Sequence, residues 1–205
     1  MCKIRKIFLA ITVCVAVLFA TACGSKEDSA PFVHGLWDTD SMSYTSEYLG
    51  IRFNFPLLWF PIGDENLATL SGIEDMSESS MKTVLDQGKP VYESIMMNFS
   101  GKSIMIMVYN NTKNTALSKE NFFDEGQTFL KGNYIDGGYI CTGEKSSVKF
   151  LGKNTDCLEL KTTKNGKSMH YITVPVFKGN YTACIEFGAE DKSDLTAMIT
   201  MASAI

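Results

Sequence analysis

Apolar and polar positions alternate over residues 51–55, where Ile51, Phe53 and Phe55 flank Arg52 and Asn54. A period of two puts the three apolar side chains on one face of a strand, and Pro56 stops it. Asp64, as a cap, followed by Leu67 and Leu70 marks a short helix; a second helix is predicted over 77–87, with Gly88 as its stop. Residues 92–99 and 103–109 are apolar on both faces and are joined by Ser100-Gly101, the pattern of a hairpin inside a covered sheet. Met96, Met97, Met105 and Met107 fall in this hairpin. Their flexible thioethers suit core filling better than copper ligation or a soft binding surface.

Ser118 reads as the cap of a helix to Lys131, with Phe122, Gly126, Phe129 and Leu130 on one face and Gly132 as its end. Four strands then form a meander over 146–151, 155–163, 169–177 and 181–187. Asp191 caps a last helix striped by Leu195, Met198, Ile199 and Ala202. Its two candidate registers around Asn165-Gly166 differ physically. A two-residue turn would pair Leu158 with Thr173 and mix apolar with polar residues on each face. A three-residue loop pairs Leu158 with Ile172 and keeps one face apolar, so the pattern favours it. That register puts Cys157, Glu159, Cys184 and Glu186 on one face, and His170 on the other near Leu160. Cys157 and Cys184 are then about 10 Å apart, too far for a disulfide. Pro175 cannot donate to a ladder, and a bulge is expected there.

The N-terminus has a different pattern. Lys3, Arg5 and Lys6 precede an apolar run over 7–20, broken only by Thr12; Thr21, Ala22 and Cys23 follow, and then a polar stretch. That is the order of a secretory leader, with an apolar core shorter than the roughly 20 residues of a membrane helix. A cysteine directly after two small residues resembles the lipobox of bacterial lipoproteins. The resemblance implies that residues 1–22 are removed and that Cys23 receives lipid. The family usually has Leu, Val or Ile three places before the cysteine, where this chain has Ala20. Cys14 is the rival, but it would put Val13 at the cleavage point. Residues 23–43, rich in Ser, Asp, Glu and Gly, read as a flexible tether, and 44–205 as a single domain.

Residues 44–56 with Trp59, the mid-chain helix from Ser118, the hairpin at Lys178-Gly179-Asn180-Tyr181 and the final helix resemble PsbP/Mog-type domains. The resemblance implies an α+β fold in which an antiparallel sheet is packed between helices, an α/β/α sandwich. It also implies a role in binding proteins, not in catalysis.

The formal charge is −4, and three of the 19 basic residues lie in the leader. An acidic chain disfavours nucleic acid. Outside the leader and Cys23 there are three cysteines, Cys141, Cys157 and Cys184, with no C-x-x-C pair. His34 lies in the tether segment and His170 on a strand, and no HExxH, GxSxG, phosphate loop or GxGxxG occurs. No catalytic, cofactor or metal residue is therefore expected, and Cys23 is the one site named. The expectation is a lipoprotein on the extracytoplasmic face of a membrane, binding an unknown protein or small-molecule partner. The alternative is an envelope enzyme built on one of the three cysteines.

Overall fold

The computed structural model of the protein describes residues 30–205. The leader, its cleavage point and Cys23 lie outside the described residues. In chain order come the strands β1 (Leu36–Asp38), β2 (Ser43–Ser46), β3 (Ile51–Asn54) and β4 (Trp59–Pro61). The helices α1 (Asp64–Ser71) and α2 (Glu78–Asp86) lead to β5 (Val91–Asn98) and β6 (Ser103–Asn110). A 3-10 turn (Thr115–Leu117) and a π-helical turn (Phe122–Gly126) run into α3 (Gln127–Asp136). The meander is β7 (Ile140–Phe150), β8 (Lys153–Lys164), β9 (Lys167–Lys178) and β10 (Tyr181–Ala189), followed by α4 (Lys192–Ile199) and β11 (Ala202–Ala204).

These strands form a seven-stranded antiparallel sheet in the order β4-β5-β6-β10-β9-β8-β7 and a four-stranded sheet β1-β2-β3-β11. The expected α/β/α sandwich is overturned. Among the described residues 44 % are strand and 24 % helical, and the helices are short, so the fold is β-rich. The reason is what covers the large sheet. One face packs Ile106, Val174, Ile185 and Phe187 against Tyr44, Ile51 and Phe53 of the small sheet, with Leu85 of α2 and Leu195 of α4 beside them. The other face buries Met107, Tyr109, Leu158, Leu160 and Cys184 under Leu117, Phe122 and Leu130. The mid-chain helix thus covers one face, and a second sheet does much of the work on the other.

Two elements of the small sheet were hidden by composition. The segment expected to be tether as far as Ser43 is built into the domain: Phe32 is buried, and Leu36 to Asp38 pair with Thr45 to Ser43. Ala202 is not the end of the helical stripe but starts β11, opposite Phe53. The Ser-rich strand β2 is tolerated inside because its hydroxyls are bonded, Ser43 to Arg52 and Ser41, and Ser46 to the Leu49 amide.

The Leu158–Ile172 register is also overturned. Leu158 pairs with Thr173, and the turn at Asn165 (φ 52°) and Gly166 (φ 78°) has both residues left-handed. That is the two-residue turn whose twist matches the strands. Keeping one face apolar was the wrong criterion, because both faces of this sheet are buried. Cys157 belongs to one core and Cys184 to the other, so they lie on opposite faces. Glu159 and Glu186 are separated in the same way. The β9–β10 pairing is as expected, with Cys184 opposite Pro175. No bulge is needed at Pro175, because the β8–β9 ladder ends at Leu158–Thr173.

Gly132 does not end the mid-chain helix. A Cβ there would meet nothing, so it is a half-buried helical glycine with open space beside it, costing about 1 kcal/mol relative to alanine, and the helix runs on to Asp136. Asp64 is the first residue of α1, capped by Gly63, and Leu70 is exposed while Leu67, Ala68 and Ser71 are buried.

Candidate functional site

Three features carry chemistry: a buried Glu93 cluster, a buried Glu186 cluster and an exposed apolar tip.

Glu93 is 0 % exposed. Tyr92 pairs with Met107 and Ser94 with Ile106, so Glu93 is the extra residue of a bulge in β5. Its Oε1 accepts from the Gly35 amide at 2.7 Å and from the Tyr44 hydroxyl. Its Oε2 lies 2.8 Å from Nδ1 of His34. Nε2 of the same ring faces Oδ1 of Asp64, at the start of α1, at 3.5 Å. Burial pulls the His34 imidazolium down, but the hydrogen bond and charge of Glu93, with Asp64 behind, outweigh it and leave the pKa above 6.5. Burial and the Glu93 charge push the Tyr44 hydroxyl well above its ordinary range. A cleft of about 260 Å³ lined by Trp37, Asp64 and Leu67 opens on one side of His34. Neither Glu93 nor His34 was singled out by sequence: the glutamate looks like one polar residue in a strand, and the histidine like tether.

On the other face of the sheet Glu186 accepts from the Tyr134 hydroxyl at 2.7 Å and from Thr173 at 3.4 Å. Burial pushes its carboxyl up to about 7, and those two hydrogen bonds only partly counter it.

The three cysteines are free and buried. Burial raises each thiol, Cys157 to about 11. A thiol raised in this way is not poised as a nucleophile. Cys157 and His170 do share a face, contrary to the expected register. But His170 stands opposite Lys161, four residues along β8 from Cys157 and so roughly 13 Å away. A polar cleft of about 360 Å³ brings His170, Glu144, Glu159 and Lys192 together, and Glu159 is paired with Lys192 and Ser146. Among the described residues no group of three or more His, Cys, Asp or Glu side chains is arranged to hold a metal. No helix there is long and apolar enough to cross a membrane.

The apolar tip is made by the connection before β4 and the β5–β6 turn. Leu57, Leu58 and Phe99 are 82 %, 70 % and 81 % exposed. Phe60 and Phe99 pack at a tilt of 44° with ring centroids 5.1 Å apart. Trp59, pairing with Asn98, is buried and ties the two loops together. Leu58 has φ 78°, a left-handed conformation that a leucine adopts at a cost of about 1–2 kcal/mol. The tip lies at the Ser103–Gly188 end of the sheet. Phe32, where the described chain begins to pack, is 6.1 Å from the Tyr181 ring at the opposite end. Along β10 that separation is about 24 Å.

No protein-family model matches the chain, and no curated protein matches it.

Proposed function

We propose that the protein is a lipoprotein held through Cys23 on the extracytoplasmic face of a membrane, and that its domain is a non-catalytic module binding a protein partner at the apolar tip. The tip carries this reading. Exposed Leu57, Leu58 and Phe99 cost solubility, and contiguous apolar patches on soluble domains mark contact surfaces. Aromatic anchors beside aliphatic ones are the composition of an interface centre. A protein partner is favoured over the bilayer by position. The chain enters the domain at the Tyr181 end, and six residues lie between Cys23 and Ala30, seven Cα steps that span roughly 25 Å at full stretch. The tip is at the far end from that entry. The cysteine-enzyme alternative is disfavoured by three thiols that are buried and raised.

The test puts a photo-crosslinking phenylalanine analogue at position 99 of the full chain in its own cells. The expected result is one discrete crosslinked protein whose yield falls about fivefold or more in Leu57→Ser, the effect of losing about 1 kcal/mol of contact. The captured protein, once purified, should bind the wild type and not Leu57→Ser. Crosslinking only to lipid, or tip-dependent flotation of Cys23→Ala with phosphatidylcholine vesicles, would assign the tip to the bilayer and overturn the reading.

A further inference from the structure

We propose that His34 and Glu93 form a pH-sensitive latch on the strap of residues 31–38, closed when the His34 ring carries both protons and loosened when it loses one. The geometry is specific. Both ring nitrogens face carboxylates, Nδ1 at 2.8 Å from Glu93 and Nε2 at 3.5 Å from Asp64. A neutral imidazole has one N–H and one lone pair. It can satisfy Glu93 only by turning a lone pair toward Asp64, so the arrangement selects the imidazolium.

The strap supplies two of the three donors to Glu93, the His34 ring and the Gly35 amide; the third is Tyr44 on β2. Glu93 has no exposed surface, so leaving it with one donor is costly. The strap and the carboxylate therefore hold each other. Gly35 adds closeness: a Cβ there would fall 2.3 Å from the Tyr44 hydroxyl oxygen, so the strap backbone lies directly on that ring. The groups around the latch are Glu93 from β5, Asp64 from α1 and Tyr44 from β2, with Glu47, from the turn after β2, lining the cleft on the outer side of His34. Glu93 and Asp64 each favour the charged ring.

The sign follows from the direction of the His34 shift. A group whose pKa is raised by docking stabilises the docked form below its free pKa, and that contribution is lost as pH rises through the docked one. Acid tightens the strap's hold and alkali weakens it. Resting on the lipid at Cys23 for this consequence alone, release of residues 31–38 would add up to about 27 Å to the tether's reach.

The test is hydrogen exchange of the full chain in detergent micelles at pH 6 and pH 9, corrected for the intrinsic pH dependence of exchange. It reads the amides of residues 33–38 against those of β10, and it needs no lipid, so its failure is separate from failure of the lipoprotein reading. Strap protection should fall with pH by about tenfold for each unit by which docking raises the His34 pKa, while β10 stays protected. His34→Gln keeps a donor for Glu93 and should leave the strap docked with no such dependence. Equal strap protection at the two pH values overturns the latch, and so does wild-type dependence in His34→Gln. If that variant does not fold, the His34 ring is titrated by NMR in the wild type. A midpoint above 6.5 supports the latch, and one at or below 6.5 overturns it.

Discussion

The hydroxyl of Tyr134 on α3 donates to Glu186 on β10 at 2.7 Å, beneath a helix that seals the carboxyl from water. A carboxyl pushed up to about 7 by burial makes stability depend on pH. Between the unfolded value near 4.5 and about 7 the native state holds a proton that the unfolded chain has released. Stability is therefore full below the unfolded pKa and is lost as pH rises through the folded one, by a total on the order of 3 kcal/mol. Glu186→Gln removes the charge and keeps one acceptor oxygen for the Tyr134 hydroxyl, while its NH2 can donate to the Thr173 hydroxyl oxygen. It should be more stable than wild type at pH 8 and should lose much of the fall in denaturation midpoint between pH 5 and 8. His34 acts in the same direction, so some dependence remains. An identical slope in the variant would show that Glu186 titrates normally.

Phe122 is fully buried under the mid-chain helix, while Phe129 is half-buried and meets Tyr109 edge-on at 5.9 Å. Their helical spacing placed both on the core-facing side. The π-helical turn at residues 122–126, where the Gly126 amide reaches back five residues to the Asn121 carbonyl, is wider than an α-helical turn and so shifts the stripe. Phe122→Ala should cost roughly 3–5 kcal/mol and Phe129→Ala clearly less, measured by denaturant unfolding. Comparable losses would contradict the unequal burial.

Legibility in the sequence followed the range of the interactions. Local signals were read correctly: the start of α2 at Ser77, which the structure shows accepting from the Ser80 amide, the Ser100-Gly101 hairpin turn, and Asp191 capping α4. The β9–β10 register was legible because Val174, Val176, Ala183 and Ile185 share one apolar face. The strap was not, because Phe32-Val33 and Leu36-Trp37 are two short apolar pairs in a Ser-, Asp- and Gly-rich segment, and Phe32 and Trp37 acquire meaning only from Tyr48, Tyr181 and Phe55 elsewhere in the chain. The Leu158 register failed because an alternation rule assumes one wet face, and this sheet has none at that position. Glu93 carried one faint signal: a carboxylate inside an otherwise apolar run. The helix count misled in the same direction, since a second sheet covers a face as well as helices do.

The lipid reading has a direct check. Cys23→Ala in the full chain should abolish membrane association, because no other cysteine stands at the end of the leader and among the described residues no helix is long and apolar enough to span. Sedimentation with membranes after a high-salt wash is the measurement. A variant that still sediments would mean that another part of the chain holds it there.

Leu58 separates fold from function at the tip. Its side chain is 70 % exposed, so it adds little burial, yet its backbone is left-handed at φ 78°. Glycine occupies that region freely, which removes strain of about 1–2 kcal/mol, while its looser unfolded chain costs about 0.4–1 kcal/mol. Leu58→Gly should therefore leave stability unchanged or raise it by up to about 1.6 kcal/mol. If the strain is kept for contact with a partner, the same substitution should lower crosslinking from position 99. Unfolding in denaturant reads the first effect and crosslink yield the second. A loss of stability beyond about 1 kcal/mol would show that Leu58 packs on the domain and belongs to the fold. Unchanged crosslinking with unchanged stability would remove Leu58 from the contact surface and leave Leu57 and Phe99 to carry it.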